Sequence, residues 1–152
     1  MPHCGRSKRL LRVGWRPVPK SSNLGRDLEL AIAKIVEDVT EEVYDAAAET
    51  ELVGIEYMKQ KIETTTSAAG EARAAKGGPA GRIDTGNMYD EVTGVTYQES
   101  PTRIVTTWGW EETPLYFLAQ EHGTEKIEAM ESLHYSLHAA DDELTSRVRR
   151  IK

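Results

Sequence analysis

Two segments decide the fold class: Val92-Thr93-Gly94-Val95-Thr96-Tyr97 and Thr102-Arg103-Ile104-Val105-Thr106-Thr107-Trp108-Gly109-Trp110, separated by Gln98-Glu99-Ser100-Pro101. Both are rich in β-branched and aromatic residues, and the four residues between them suit a hairpin turn. A period of two places Ile104, Thr106, Trp108 and Trp110 on one face, with Arg103, Val105 and Thr107 on the other. The flanks have a different rhythm. From Asp27 to about Lys61 the apolar residues Leu28, Ile32, Ile35, Val36, Val39, Val43, Ala46, Ala47 and Val53 recur mostly three or four apart. Glu37, Asp38, Glu41, Glu42 and Asp45 fall between them, as on the solvated side of an amphipathic helix. Asn23 is a plausible N-cap, and Thr50 and Gly54 are the weak points of this helix. On the C-terminal side, Ile127, Met130, Leu133, Leu137, Leu144, Val148 and Ile151 are expected to form one stripe of a terminal helix. The fold expected is α+β: a long N-terminal helix and a C-terminal helix packed on a small antiparallel sheet, with an extended N-terminal arm.

The 152 residues suffice for one hydrophobic core. A basic arm over residues 1–22 is expected to precede a single domain over 23–152, with a mobile loop at about 63–81. The arm contains Pro2, Pro17 and Pro19 and has no sustained period. The loop begins Thr64-Thr65-Thr66-Ser67 and runs through Gly77-Gly78-Pro79, without apolar periodicity. No apolar run reaches the roughly 18 residues of a membrane helix, and Leu10, Leu11 and Val13 are too few for a signal peptide. The single cysteine, Cys4, excludes an internal disulfide framework and a paired-cysteine metal site.

Charge is distributed unevenly. Residues 1–26 contain seven basic and no acidic side chains, whereas the remaining 126 carry 12 basic and 25 acidic, so that +7 and −13 make up the net −6. A cationic arm on an acidic body has two natural destinations, nucleic acid or an acidic neighbouring subunit. Arg9, Arg12, Trp15 and Arg16 are the arm residues expected to touch a partner.

A search for chemistry yields no catalytic, cofactor-binding or metal residues. His134 and His138 share a helical face, with Glu131 before them and Asp141 or Asp142 after, but the pattern is not His-Glu-x-x-His. The Gly77-Gly78-Pro79-Ala80-Gly81 segment lacks the Gly-Lys-Ser/Thr ending of a phosphate-binding loop. No Gly-x-Ser-x-Gly is present, and the ten aromatic residues are not interleaved with basic ones as a single-strand binding platform requires.

Two segments remain that make sense as backbone devices. In Arg82-Ile83-Asp84-Thr85-Gly86-Asn87-Met88-Tyr89, Asp84 or Thr85 can cap a turn opened by Gly86. In Tyr116-Phe117-Leu118-Ala119-Gln120-Glu121-His122-Gly123-Thr124, Gly123 suits a left-handed or close-packed position, with Thr124 as a local cap. Their order, with a hairpin between them and a helix after them, resembles the tail-completion, or head–tail joining, family of long-tailed bacteriophages. That family commonly reads Val-Asp-Thr-Gly-Xaa-Leu, then strands, then Tyr-Ala-x-x-x-Glu-Phe-Gly-Thr. Here Asp84, Thr85, Gly86, Glu121, Gly123 and Thr124 match, Met88 stands for the leucine and His122 for the aromatic residue. The resemblance covers about residues 28–150; the basic arm and the loop at 63–81 depart from the pattern.

The resemblance implies a structural virion protein without catalysis or cofactor. It implies a homo-oligomeric ring, usually a hexamer, between the capsid connector and the tail-tube proteins of the neck. DNA would pass through the lumen without specific binding, no membrane would be involved, and assembly would take place in the host cytoplasm. The alternatives are a tail terminator or other neck-ring protein, a small DNA-binding protein using the basic arm, and a metal hydrolase centred on His134 and His138.

Overall fold

A computed structural model describes residues 23–151 except Asp84 and Thr113. The chain comprises two compact units, Met1–Lys34 and Ile35–Lys152. Of the first unit the described part is the start of a helix, and every residue from 23 to 34 is exposed. The expected arm contacts Arg9, Arg12, Trp15 and Arg16 lie outside the described residues.

The architecture is α+β. Helix α1 spans Leu24–Thr64, α2 Ala68–Ala74 and α3 Asn87–Asp90. Strands β1, Val92–Ser100, and β2, Arg103–Trp110, form a two-stranded antiparallel sheet; α4, Leu115–His122, and α5, Ser132–Val148, follow. The α1 helix opens where the Asn23 carbonyl accepts from the Asp27 N–H at 2.8 Å. Its two weak positions are used for packing. The Thr50 hydroxyl donates to the Ala46 carbonyl at 2.7 Å, which satisfies a buried polar group within the helix. Gly54 leaves room for Trp108, since a Cβ there would come within 2.4 Å of the indole ring.

The strands pair in the register Val92↔Trp110, Gly94↔Trp108 and Thr96↔Thr106, with an irregularity between Gln98 and Ser100. The turn is therefore tighter than Gln98-Glu99-Ser100-Pro101, because β1 continues to Ser100. The face shared by Thr106, Trp108 and Trp110 is the one that points inward. Thr106 reaches the Ala47 carbonyl at 3.5 Å, Trp108 donates from Nε1 to the Ser136 hydroxyl at 2.9 Å, and Trp110 donates from Nε1 to the Met88 carbonyl at 2.7 Å. Tyr44 and Glu51 of α1 bond to Thr96 of β1, at 3.0 and 2.6 Å, holding the hairpin on the helix. The core comprises Met58, Ile62, Met88, Val92, Phe117 and Met130, with Trp108 and Trp110 packed against it. Trp110 meets Phe117 with ring centroids 5.4 Å apart.

The structure corrects three expectations. The loop at 63–81 contains α2: Ser67 has extended backbone and accepts from the Gly70 N–H at 3.0 Å, as an N-cap should. Its alanine-rich sequence favours a helix by propensity, not by the apolar period, so a search for periodicity passes over it. Second, Ile127 and Met130 are not in the terminal helix. Ile127 pairs with Thr124 in an isolated bridge, and Met130 is buried ahead of α5. Within α5 the buried residues are Ser132, Ser136 and Ala140, while Leu137 and Val148 are exposed, because small side chains admit the closer approach. Third, the apolar stripe of α1 is buried only from Ala46 onward. Leu28, Ile32, Ile35, Val36 and Val39 remain 40–61% exposed, covered by no described part of the chain.

Candidate functional site

The two motif segments meet, and Arg82 joins them. Its Nη1 donates to the Gln120 side-chain oxygen and its Nη2 to the Glu128 carbonyl at 2.7 Å. Its own N–H donates to the Ile62 carbonyl at 2.9 Å, tying the first segment to the end of α1. Gly86 takes φ +91°, and Thr85 Oγ1 accepts from the Asn87 N–H at a long 3.5 Å as α3 begins. Asp84, the other candidate cap, lies outside the described residues.

The second segment works as a helix-starting device. Glu121 is 3% exposed at the end of α4. Its Oε2 accepts from the Ser132 N–H at 2.9 Å and the Ser132 hydroxyl at 2.6 Å, and its Oε1 accepts from the Leu133 N–H at 2.8 Å. The α5 helix therefore receives its cap from 11 residues upstream, and the residue preceding it, Glu131, takes φ +53° with no side-chain cap bond of its own. A carboxylate on the first amides satisfies donors that no helical carbonyl can reach and suits the positive end of the helix dipole.

Between Glu121 and Ser132 the chain must reverse. Gly123 has φ +77° and ψ 173°, a region open essentially to glycine, and a Cβ there would lie 2.8 Å from the Ala129 nitrogen. Thr124 closes the reversal: its N–H donates to the Ile127 carbonyl at 2.7 Å, and its hydroxyl accepts from the Ile127 N–H at 3.1 Å. The Met130 and Glu131 amides then donate to the Gln120 and Glu121 carbonyls, at 2.9 and 3.1 Å. Glu121, Gly123 and Thr124 thus act together as a local structural unit.

Sequence reasoning missed the partners of these residues. Arg82 and Gln120 were visible only as letters within motifs, and Ser132 gave no signal as the acceptor's target, because an 11-residue return is not periodic. The histidine pair on α5 is real as a juxtaposition, with His134 and His138 ring centroids 4.5 Å apart. Among the described residues, however, no three His, Cys, Asp or Glu side chains are grouped to hold a metal ion. In α3, the Tyr89 hydroxyl is held above its ordinary pKa, first by the Glu63 carboxylate and then by partial desolvation.

No family model, no curated protein and no solved structure matches this chain. No helix among the described residues is long and apolar enough to cross a membrane.

Proposed function

We propose that this chain is a structural subunit of the neck of a long-tailed bacteriophage, forming a homo-oligomeric ring where the capsid connector meets the tail tube. The observation that carries assembly is a stripe on α1 that none of the described residues covers. Leu28, Ile32, Ile35, Val36 and Val39 have helical spacing and stay 40–61% exposed. A row of large aliphatic side chains facing water is unfavourable for an isolated subunit and ordinary for one that is covered on assembly.

Placement in the neck is supported by the resemblance of the Asp84-Thr85-Gly86 and Glu121-His122-Gly123-Thr124 segments, which lie either side of the hairpin and share the Arg82 connection. On this reading the acidic body lines a passage through which DNA moves without being held, since negative walls repel phosphate. The basic arm of residues 1–22 would reach for an acidic neighbour, and the subunit has a mechanical role without catalysis.

Two measurements test this. Native mass spectrometry of the purified chain over a range of concentrations should give a closed ring with a defined copy number, and a strict monomer at high concentration counts against it. Quantitative mass spectrometry of purified phage particles should find the chain at ring stoichiometry, and its absence from particles removes the neck reading.

A further inference from the structure

His134 and His138 stand four residues apart on α5, and both are exposed, because the helix turns Ser132, Ser136 and Ala140 inward. Their ring centroids are 4.5 Å apart and the rings are nearly perpendicular, at 84°. Two imidazoles that share one ion must meet a definite spacing. Zinc–nitrogen bonds of about 2.0–2.1 Å, meeting at an angle between square and tetrahedral, put two ring centroids about 4.5–5 Å apart. The pair therefore has the separation of a chelate. Rotation of the rings about their Cβ–Cγ bonds can aim one nitrogen of each at a common point.

Two further features favour a cation here. Residues 131–146 contain Glu131, Asp141, Asp142 and Glu143 and no lysine or arginine, so this stretch of α5 is net negative. Lys61 approaches the stretch at Tyr135, where its Nζ lies over the ring, 3.9 Å from the centroid. The first turn of a helix ordinarily frays. In α5 the Glu121 carboxylate holds the Ser132 and Leu133 amides at 2.9 and 2.8 Å, which fixes the turn that carries His134. A pair held in place loses less freedom on binding than two independent side chains, so it binds more tightly than either imidazole alone.

We propose that His134 and His138 chelate one borderline divalent transition-metal ion, of the class of zinc(II), through one nitrogen each. Among the described residues no third His, Cys, Asp or Glu is grouped with them, so water fills the remaining positions and the ion is exchangeable. Imidazole selects such ions over magnesium and calcium, which take oxygen ligands. The site's chemistry is independent of whether the chain forms a ring.

The test is an NMR titration of the full chain with zinc(II), following the ring nitrogens of His134 and His138 separately, so that metal taken by His3 or Cys4 is not counted. Both rings are expected to shift together and saturably, while magnesium at the same concentration shifts neither. His138→Gln should weaken zinc at His134 about tenfold or more, and His134→Gln should do the same at His138. Both side chains are exposed, so these variants keep the fold. The proposal is overturned if the two rings saturate at different zinc concentrations or do not shift, if magnesium shifts them equally, or if either variant leaves the zinc affinity of the remaining histidine unchanged.

Discussion

Glu121 and Ser132 are bonded twice, backbone and side chain, by one carboxylate oxygen at 2.9 and 2.6 Å. Both residues are buried, and the second oxygen of Glu121 holds the next amide of α5, that of Leu133. The position of a 17-residue helix is therefore set by a side chain on another helix. Hydrogen bonds to an ionised acceptor are stronger than neutral ones, and this acceptor's three donors leave it well compensated.

Glu121→Gln keeps the shape and removes the charge, and the amide nitrogen it introduces cannot accept. A loss of about 1.5–3 kcal/mol is expected, from the range for hydrogen bonds to charged groups. Urea denaturation measures the loss, and hydrogen exchange should locate it as faster exchange at the Ser132 and Leu133 amides. Unchanged protection at those two amides would show that the cap contributes nothing.

Gly123→Ala should be comparably harmful for a different reason. The backbone conformation is unsuited to any other residue, and the new methyl group would meet the Ala129 nitrogen at 2.8 Å. Backbone strain of about 1–3 kcal/mol is expected before the contact is counted. Thermal denaturation followed by circular dichroism should show a lower midpoint, and an unaltered midpoint would mean that the reversal can be made another way.

At Gly54 two effects oppose one another. Replacing a glycine within a helix by alanine gains up to about 1 kcal/mol of propensity. A Cβ 2.4 Å from the Trp108 ring overpacks the core, at about 1–3 kcal/mol. Gly54→Ala should therefore be net destabilising and should shift tryptophan fluorescence as the Trp108 ring is displaced. A stabilised variant would show that the ring moves without cost.

The α1 stripe separates folding from assembly. Ile32 and Ile35 are 53% and 61% exposed, so the double variant Ile32→Glu, Ile35→Glu should leave subunit stability within about 0.5 kcal/mol. The same variant should abolish oligomer formation in sedimentation velocity. Retained oligomers would move the subunit contact elsewhere.

Tyr89 is expected to titrate above the ordinary tyrosine value of 10.0, because the Glu63 carboxylate opposes the phenolate. Carbon-13 NMR of the tyrosine ring against pH reads this directly. Glu63→Gln should bring the midpoint down toward 10.0, and no movement would show that the carboxylate is too well screened to act.

The fold was legible where periodicity is strong and residues pack on one face. The α1 helix and the hairpin were read nearly to their ends, and alternation alone separated the two faces of β2, while packing decided which of them is inside. The α2 helix was missed because Ala68–Ala74 has propensity without a stripe. The start of α5 was misplaced because Ile127 and Met130 fall at helical spacing by coincidence while belonging to a reversal. At the motif segments, glycine and threonine could be read as turn chemistry, but a cap donated across 11 residues and an arginine bridging two segments are properties of proximity.

By itself the sequence determined the α+β class, the charge split between residues 1–26 and 27–152 and the two segments that carry the family resemblance, because each rests on composition or local spacing. Tertiary structure decided which apolar residues are inside. Ile35, Val36 and Val39 share the helical period of Ala46 to Ile62, yet they stay exposed while the second group supplies buried residues, since burial depends on what else the chain brings to that face. It also decided that Arg82 is a buried charge and Glu121 a remote cap, because hydrogen-bond partners distant in sequence become neighbours only when the elements pack.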